Sequence, residues 1–532
     1  MPHRLKERQE KMAKKIKKDN FRTYLKTVVS WSPLMFYKNN GLISIFPEVG
    51  RISDIQDFES FSSQRDTILQ KGLTIASNIS FFGNFSKLIQ NITFPATIKY
   101  MTNENSEYAD SLAGVKNVYL SSNITFGSEN VLYSFSVKNN NTNILNSVAV
   151  NSGSHNIYFC SGITTSHNIF YSRYITNSSN IWFSDNLVNC RECISCNNLE
   201  HTTFCINNKQ YKEKEYYIQK EKILKEKKSF AERYATLNAI GKNIASENIE
   251  GSAISHSDNI ENGYLVHQIK NGKNLIMVGG KDACQEMYNC FQCASKLENF
   301  NYSAISAGRG EHLYCNYNSS GSSMYYTIFC ENCSYCLGCI GLKNKSYCIL
   351  NKQYTKEERH DKVDEIFTQM EKDGTLGKFF PGSMNPFYFN DTAAYLIDDT
   401  FTKEEVEAEG YLRRDEKIKV DIPEGAEIVY VNPPQSPFSK GGSEAGKETS
   451  NSPSLLKRGS GYPISEIGNK VPKVDSGAER WIDPEILKKV IQDKEGNYYK
   501  IVKMEYDFLM KHGLPLPKLH WLDRIKLGFT FK

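Results

Sequence analysis

Long apolar runs are missing from this 532-residue chain. None approaches the ~18 residues that a membrane-crossing helix needs, so a spanning protein is excluded. An excess of one charge is missing too. The 65 Lys and Arg against 60 Asp and Glu leave +5, too even for a protein built around a polyanion. Met1 to Lys18 is basic, but it lacks the apolar stretch and small-residue cleavage site of a secretory signal. The expected compartment is therefore the cytoplasm, with the 14 cysteines mostly reduced. The Asn-x-Ser/Thr triplets at Asn78, Asn91, Asn123 and Asn301 then carry no message about glycosylation.

Charge of either sign is scarce in one stretch. Residues 113–208 hold 19 Asn and only 8 charged residues in 96 positions, which is odd for a globular surface but suits a stacked array. The acids there, Glu129, Asp185, Glu192 and Glu200, fall in different columns or coils. No paired carboxylates, Gly-rich phosphate loop or Ser/His/Asp pattern stands out, which argues against an enzyme.

What is present is periodicity. Anchors at Asn105, Asn117, Asn130, Asn143, Asn156, Asn168, Asn180 and Glu192 are 12 or 13 residues apart. One residue after six of them come Val118, Val131, Ile144, Ile157, Ile169 and Ile181. Four after come Ser121, Ser134, Ser147, Cys160, Ser172 and Ser184, and a third aliphatic column follows seven after. Columns in sequence become stacks in space: a short strand cannot bury its apolar side chains alone, whereas successive coils bury them as ladders about 4.8 Å apart. The fold class is mainly β, a β-solenoid like a parallel β-helix with 12–13-residue repeats in two blocks, capping α-helices and a small C-terminal α/β tail. Aligned aliphatic columns argue against a disordered Asn/Ser-rich tract. Asn at a fixed column suits both a hydrogen-bonded ladder and left-handed corners. Whether 12–13 residues make one narrow coil or half of a wider one of roughly 25 stays open at this level.

A looser block runs from Ser252 to Tyr354, and both blocks end alike. The first reads Cys190-x2-Cys193-x2-Cys196-x8-Cys205, then Ile206-Asn207-Asn208-Lys209-Gln210-Tyr211; the second reads Cys333-x2-Cys336-x2-Cys339-x8-Cys348, then Ile349-Leu350-Asn351-Lys352-Gln353-Tyr354. This is an internal duplication. Each block runs into a helix: Lys212 to Ile240 carries Ile218, Leu224, Phe230, Tyr234 and Leu237 as a rough stripe, and Thr355-x-x-Glu358 opens the other as a capping box. Such helices would cover solenoid edges that otherwise recruit strands. A second capping box, Thr402-x-x-Glu405, starts a short helix. The expected organisation is a basic helical segment (1–45), a lead-in (46–102), solenoid block 1 (103–211), a charged helix (212–245), block 2 (246–354), a capping helix and extended segment (355–432), a disordered Pro/Gly/Ser/Lys linker (433–472) and a tail domain (473–532).

Asn103 to Tyr108, the Asn-Val/Ile-Tyr repeats, Cys-Ile-x-Asn-Lys-Gln-Tyr, Phe379-Phe380-Pro381 before Pro386-Phe387, and Gly513-Leu514-Pro515-Leu516-Pro517 together resemble uncharacterised Cys/Asn-rich repeat proteins of ultra-small, candidate-phyla bacteria. The resemblance covers roughly 81–411 and the last 30 residues, and implies the repeat architecture. It also implies zinc-ribbon cysteine pairs near the ends. This chain departs from that pattern, because its first cysteine is Cys160 and no Cys-x2-Cys follows Pro517.

The cysteine quartets are the candidate metal ligands. Cys190, Cys193, Cys196 and Cys205, and Cys333, Cys336, Cys339 and Cys348, have the number and knuckle spacing for tetrahedral zinc. The competing reading, which the columns favour, is core filling, since Cys196 falls where Cys160 and the serines sit. His155 and His167 share a column with Lys116, Glu129, Thr142 and Ser179, which marks a solvent face rather than a metal pair. Two basic stretches, Arg4 to Lys26 and Lys209 to Arg233, offer candidate nucleic-acid contacts at Lys14, Lys15, Lys17, Lys18, Lys225, Lys227 and Lys228, with ladder aromatics as stacking platforms; the competing and favoured reading is a solvated helix face with the ladder aromatics buried. The expected function is a non-enzymatic interaction scaffold whose partner is another protein. A single-stranded nucleic-acid or RNA binder is the alternative, and a solenoid polysaccharide hydrolase or lyase the second.

Overall fold

A computed structural model describes residues 20–48, 50–227, 230–237, 260–264, 266, 271–277, 289–291, 301–305, 310–416, 426–430 and 482–529. The expected linker (433–472), residues 1–19 of the basic N-terminal segment and much of the start of block 2 lie outside these residues.

The backbone of block 1 is set by one local rule. From Asn168 to Asn207 every third residue has a positive φ, between 46° and 57°. Each such residue turns the chain a corner, so a 12-residue coil has four sides of three residues. The side chain just after each corner points inward: Ile169, Ser172, Ile175 and Ser178 are all buried. The earlier coils spend their thirteenth residue on a doubled corner, at Phe126-Gly127, Asn139-Asn140 and Ser152-Gly153.

Stacking follows from this shape. Two parallel sheets of short strands run along the block, one beginning with Lys99–Tyr100 and ending with Asn197–Glu200, the other running from Lys116–Tyr119 to Thr203–Ile206. Each coil gives one strand to each sheet, and register partners are 12 or 13 residues apart, as in Ile144↔Ile157 and Ile157↔Ile169. The repeat is therefore one narrow coil, and the wider alternative falls away. Two inward columns are aliphatic, Val118 through Ile181 and Ile124 through Leu187, and form one continuous core. Burying each Ile there is worth about 1.5–3 kcal/mol.

The other two inward columns are polar and internally satisfied. Ser172 Oγ donates to the Phe170 carbonyl at 2.9 Å and accepts from the Ser184 amide at 3.1 Å. The same pair of bonds recurs at Ser134 and Ser147, and Ser154, Ser166 and Ser178 form a matching column. The anchor asparagines make an outer spine. Each side-chain amide donates to the next, from Asn105 through Asn180, at 2.8–3.0 Å, and the last donates to Glu192.

Left-handed corners held by aromatic residues are costly for L-amino acids, by roughly 1–2 kcal/mol each. Stacking offsets this, as Phe159, Tyr171 and Phe183 lie ring on ring at 5.3 and 5.6 Å. These outward rings are covered by Phe230 and Tyr234.

Block 2 repeats the geometry through bridges such as Tyr325↔Leu337, Ile328↔Ile340 and Leu337↔Ile349. Its end is closed by the helix Lys356–Lys372, whose capping box at Thr355 and Glu358 forms and whose Val363, Phe367 and Met370 are buried. Thr402 caps its helix, but the Glu405 carboxylate turns to Arg22 instead of closing a box. The helix after block 1 differs from the sequence expectation. It runs Glu213–Lys225, stops at Glu226, and resumes as Phe230–Ala235. Tyr216 is its buried residue, while Ile218 is exposed, because this short, highly charged helix meets the coil end through Tyr216 and Tyr217 on Phe204 and through Lys220 on Glu192, and Ile218 lies off that face.

Two compact units divide the chain: Met1–Arg414 with Ile525–Lys532, and Asp415–Arg524. In the second, Ile428–Tyr430, Val490–Gln492 and Tyr498–Tyr499 form a three-stranded sheet beside the helix Lys503–His512. No helix among the described residues is long and apolar enough to cross a membrane.

Candidate functional site

The two quartets occupy equivalent places. Cys190, Cys193 and Cys196 are three successive inward residues of one coil, and Cys205 stacks on Cys193 in the next. In block 2, Cys330, Cys333, Cys336 and Cys339 are four successive inward residues, and the bridges Ser334↔Ser346 and Leu337↔Ile349 put Cys348 over Cys336. The spacing C-x2-C-x2-C-x8-C is thus the spacing of inward positions. It brings each quartet together in the interior of two adjacent coils.

The thiols bond as the serines do. Cys196 Sγ donates to the Ile194 carbonyl at 3.3 Å and accepts from the Asn208 amide at 3.4 Å; Cys190 and Cys339 likewise donate to the carbonyl two residues back. Burial pushes the Cys160 thiol up to about 12 and raises Cys330 and Cys339 as well. In the first quartet the Cys193 thiol sits at the centre. Its hydrogen bonds pull Cys190 down to about 6 and lower Cys196, while the bond to Cys190 and then that to Cys196 raise Cys193 itself. Among the described residues no set of three or more His, Cys, Asp or Glu side chains is placed to hold a metal ion.

Column identity gives these cysteines a test. Cys193 continues a column of Val and Ile, whereas Cys196 continues a column of Ser. Column-matched changes, Cys193→Val and Cys196→Ser, are expected to cost less than about 1.5 kcal/mol each. Cys196→Val strands the Asn208 amide and is expected to cost about 1–3 kcal/mol. Urea unfolding of the three variants, with zinc counted in the purified protein, checks this. Equal damage from all three, together with stoichiometric zinc, would show ligands rather than packing.

The remaining candidates are dispersed. His155 and His167 are exposed register partners in the solvent-facing column. Lys225 pairs with Glu221 one turn away, Lys227 is half-buried, and Lys14, Lys15, Lys17, Lys18 and Lys228 lie outside the described residues. At the end of the N-terminal basic stretch, Arg22 pairs with Asp398 and Glu405, and Lys26 with Glu409. The ladder aromatics Tyr119, Tyr158, Phe170 and Trp182 are buried, as the favoured reading had them, and so offer no open stacking platform. The acids are scattered too, with Glu192 held between Asn180 and Lys220.

Sequence reasoning found the duplicated Ile-x-Asn-Lys-Gln-Tyr segment but missed its form. Asn207 and Asn208 both have positive φ (50° and 59°), as do Leu350 and Asn351 (48° and 61°). Two such residues make the type I′ turn of a tight hairpin. The chain then runs back antiparallel, with Ile206↔Lys209 and Cys205↔Gln210 in one block and Ile349↔Lys352 and Cys348↔Gln353 in the other. Gln210 and Gln353 each donate to the carbonyl seven residues back, and Tyr211 and Tyr354 do so through their amides. The signal was the Asn before Lys-Gln in both blocks, preceded by a second Asn in block 1, a turn read only as a motif. Compared with known proteins, the chain matches no family model, no curated protein and no solved structure.

Proposed function

We propose that this chain is a non-enzymatic scaffold that works by holding another macromolecule, and that its partner is a protein. One observation supports the reading above others: the polar side chains of block 1 are committed to their own equivalents on neighbouring coils. The asparagine spine and the two serine columns use their hydrogen bonds along the stack, so they build length and rigidity rather than a cleft. Acids that would serve hydrolysis lie singly. The nucleic-acid alternative has less support, since its stacking rings are covered and several of its cations are already paired. We place the protein in the cytoplasm because no disulfide joins the described cysteines.

Gentle purification from the native cell at low salt tests this. The expected result is a defined protein that stays bound after nuclease and moderate salt. RNA or DNA that leaves with rising salt would overturn the reading in favour of phosphate contacts.

A further inference from the structure

Inside a block, each rung is closed by the next. The Arg173 amide donates to the Ser184 carbonyl, and the Asp185 amide to the Cys196 carbonyl, eleven positions on in these 12-residue coils and twelve on in the 13-residue ones, as from Phe135 to Ser147. The Asn197 amide keeps that spacing but meets a different acceptor, the side-chain Oδ1 of Asn208 at 2.9 Å; Asn208 Nδ2 returns a bond to the Asn197 carbonyl at 3.0 Å. Block 2 does the same, with the Ile340 amide to Asn351 Oδ1 and Asn351 Nδ2 to the Ile340 carbonyl, both at 2.8 Å.

A primary amide carries one acceptor and a donor beside it, as a peptide group does. The amide of residue 208 still donates to the Cys196 thiol below it, but its carbonyl no longer meets the Asn197 amide, and the side chain of the same residue supplies the acceptor in its place. We infer that Cys-Ile-x-Asn-Lys-Gln-Tyr is a solenoid terminator. It closes the last parallel rung with an amide and an antiparallel strand, so that the open edge does not pair with a strand from a second copy of this chain.

The two copies differ in one useful respect. The rung in block 2 is also covered by the chain itself: Arg65 donates to the Gly341 carbonyl and pairs with Glu331, and the Leu73 amide donates to the Leu350 carbonyl. Gly72 passes so close that a Cβ would lie 2.5 Å from the Asn351 backbone. In block 1 the corresponding residues Asn197 and Asn198 are exposed, so among the described residues nothing covers the terminator there.

Asn208→Gly tests the inference, because Asn-Gly keeps the turn and removes the amide. In the intact chain, amide exchange over 196–200 is expected to be slow. In the variant it is expected to quicken at least about tenfold, with a sedimentation coefficient that rises with concentration. Asn351→Gly is expected to quicken exchange near Ile340 without association, since that edge stays covered. Fast exchange over 196–200 in the unmodified protein would overturn the inference. So would an Asn208→Gly protein that loses protection but sediments as the parent does at every concentration.

Discussion

Asn168→Val is expected to destabilise the solenoid by about 2–4 kcal/mol, far more than Asn168→Gly at the same position. Asn168 sits mid-spine, accepting from Asn156 at 2.9 Å and donating to Asn180 at 2.8 Å, with φ 56°. Removing its amide strands a donor above and an acceptor below. At a half-buried site that is worth roughly 0.5–1 kcal/mol per bond. Valine adds a second cost, because a β-branched side chain in a left-handed corner is strained by about 1–2 kcal/mol, whereas glycine is not. The gap between the two variants therefore isolates the corner, and the gap between Asn168→Gly and the parent isolates the spine. Asn105→Val, at the start of the spine with a single spine neighbour, is expected to lose only one of the two bonds. Urea midpoints followed by a probe in block 1 would measure all three. A valine variant as stable as the glycine variant would show that the corner geometry is wrong.

Much of this architecture was legible in the columns, for a physical reason. A stacked coil puts equivalent residues in contact, so each column has to be self-compatible, and Asn on Asn or Ile on Ile leaves a visible period. The coil width was not legible, because the two faces of one coil are nearly alike in sequence: an aliphatic column and a Ser column, twice. Only pairing such as Ile157↔Ile169 tells one turn from half a turn. The cysteine quartets were legible as a spacing and ambiguous as chemistry, since thiols three apart fit both a metal knuckle and successive inward corners. The terminating hairpin was legible as a duplicated string, but a side chain standing in for its own backbone carbonyl leaves no period behind. The break in the helix after Tyr211 was not legible, because charge-rich sequence supports a helix anywhere, while its interruption at Glu226 follows from what each piece covers. There Tyr216 and Tyr217, and then Phe230 and Tyr234, find rings to pack on.

The second unit offers the other large effect, from a device the solenoid does not use. Arg524 and Glu505 are both fully buried and joined at 2.5 Å, with Arg524 Nε donating to the Leu519 carbonyl at 2.7 Å and its guanidinium over the Tyr499 ring. A buried pair of this kind adds little net stability over a well-packed apolar pair, but losing one partner leaves the other as an uncompensated charge. Arg524→Met is accordingly expected to cost about 3–5 kcal/mol, and Glu505→Leu a similar amount. The double variant Arg524→Met/Glu505→Leu is expected to recover most of that loss, since two apolar side chains need no partner. A double-variant cycle read from thermal unfolding of this unit's transition separates the cases. Additive losses would mean that the two side chains act independently through packing. Strong non-additivity would mean that charge balance in a buried core governs the fold of this unit, whereas the solenoid balances neutral amides and hydroxyls one rung at a time.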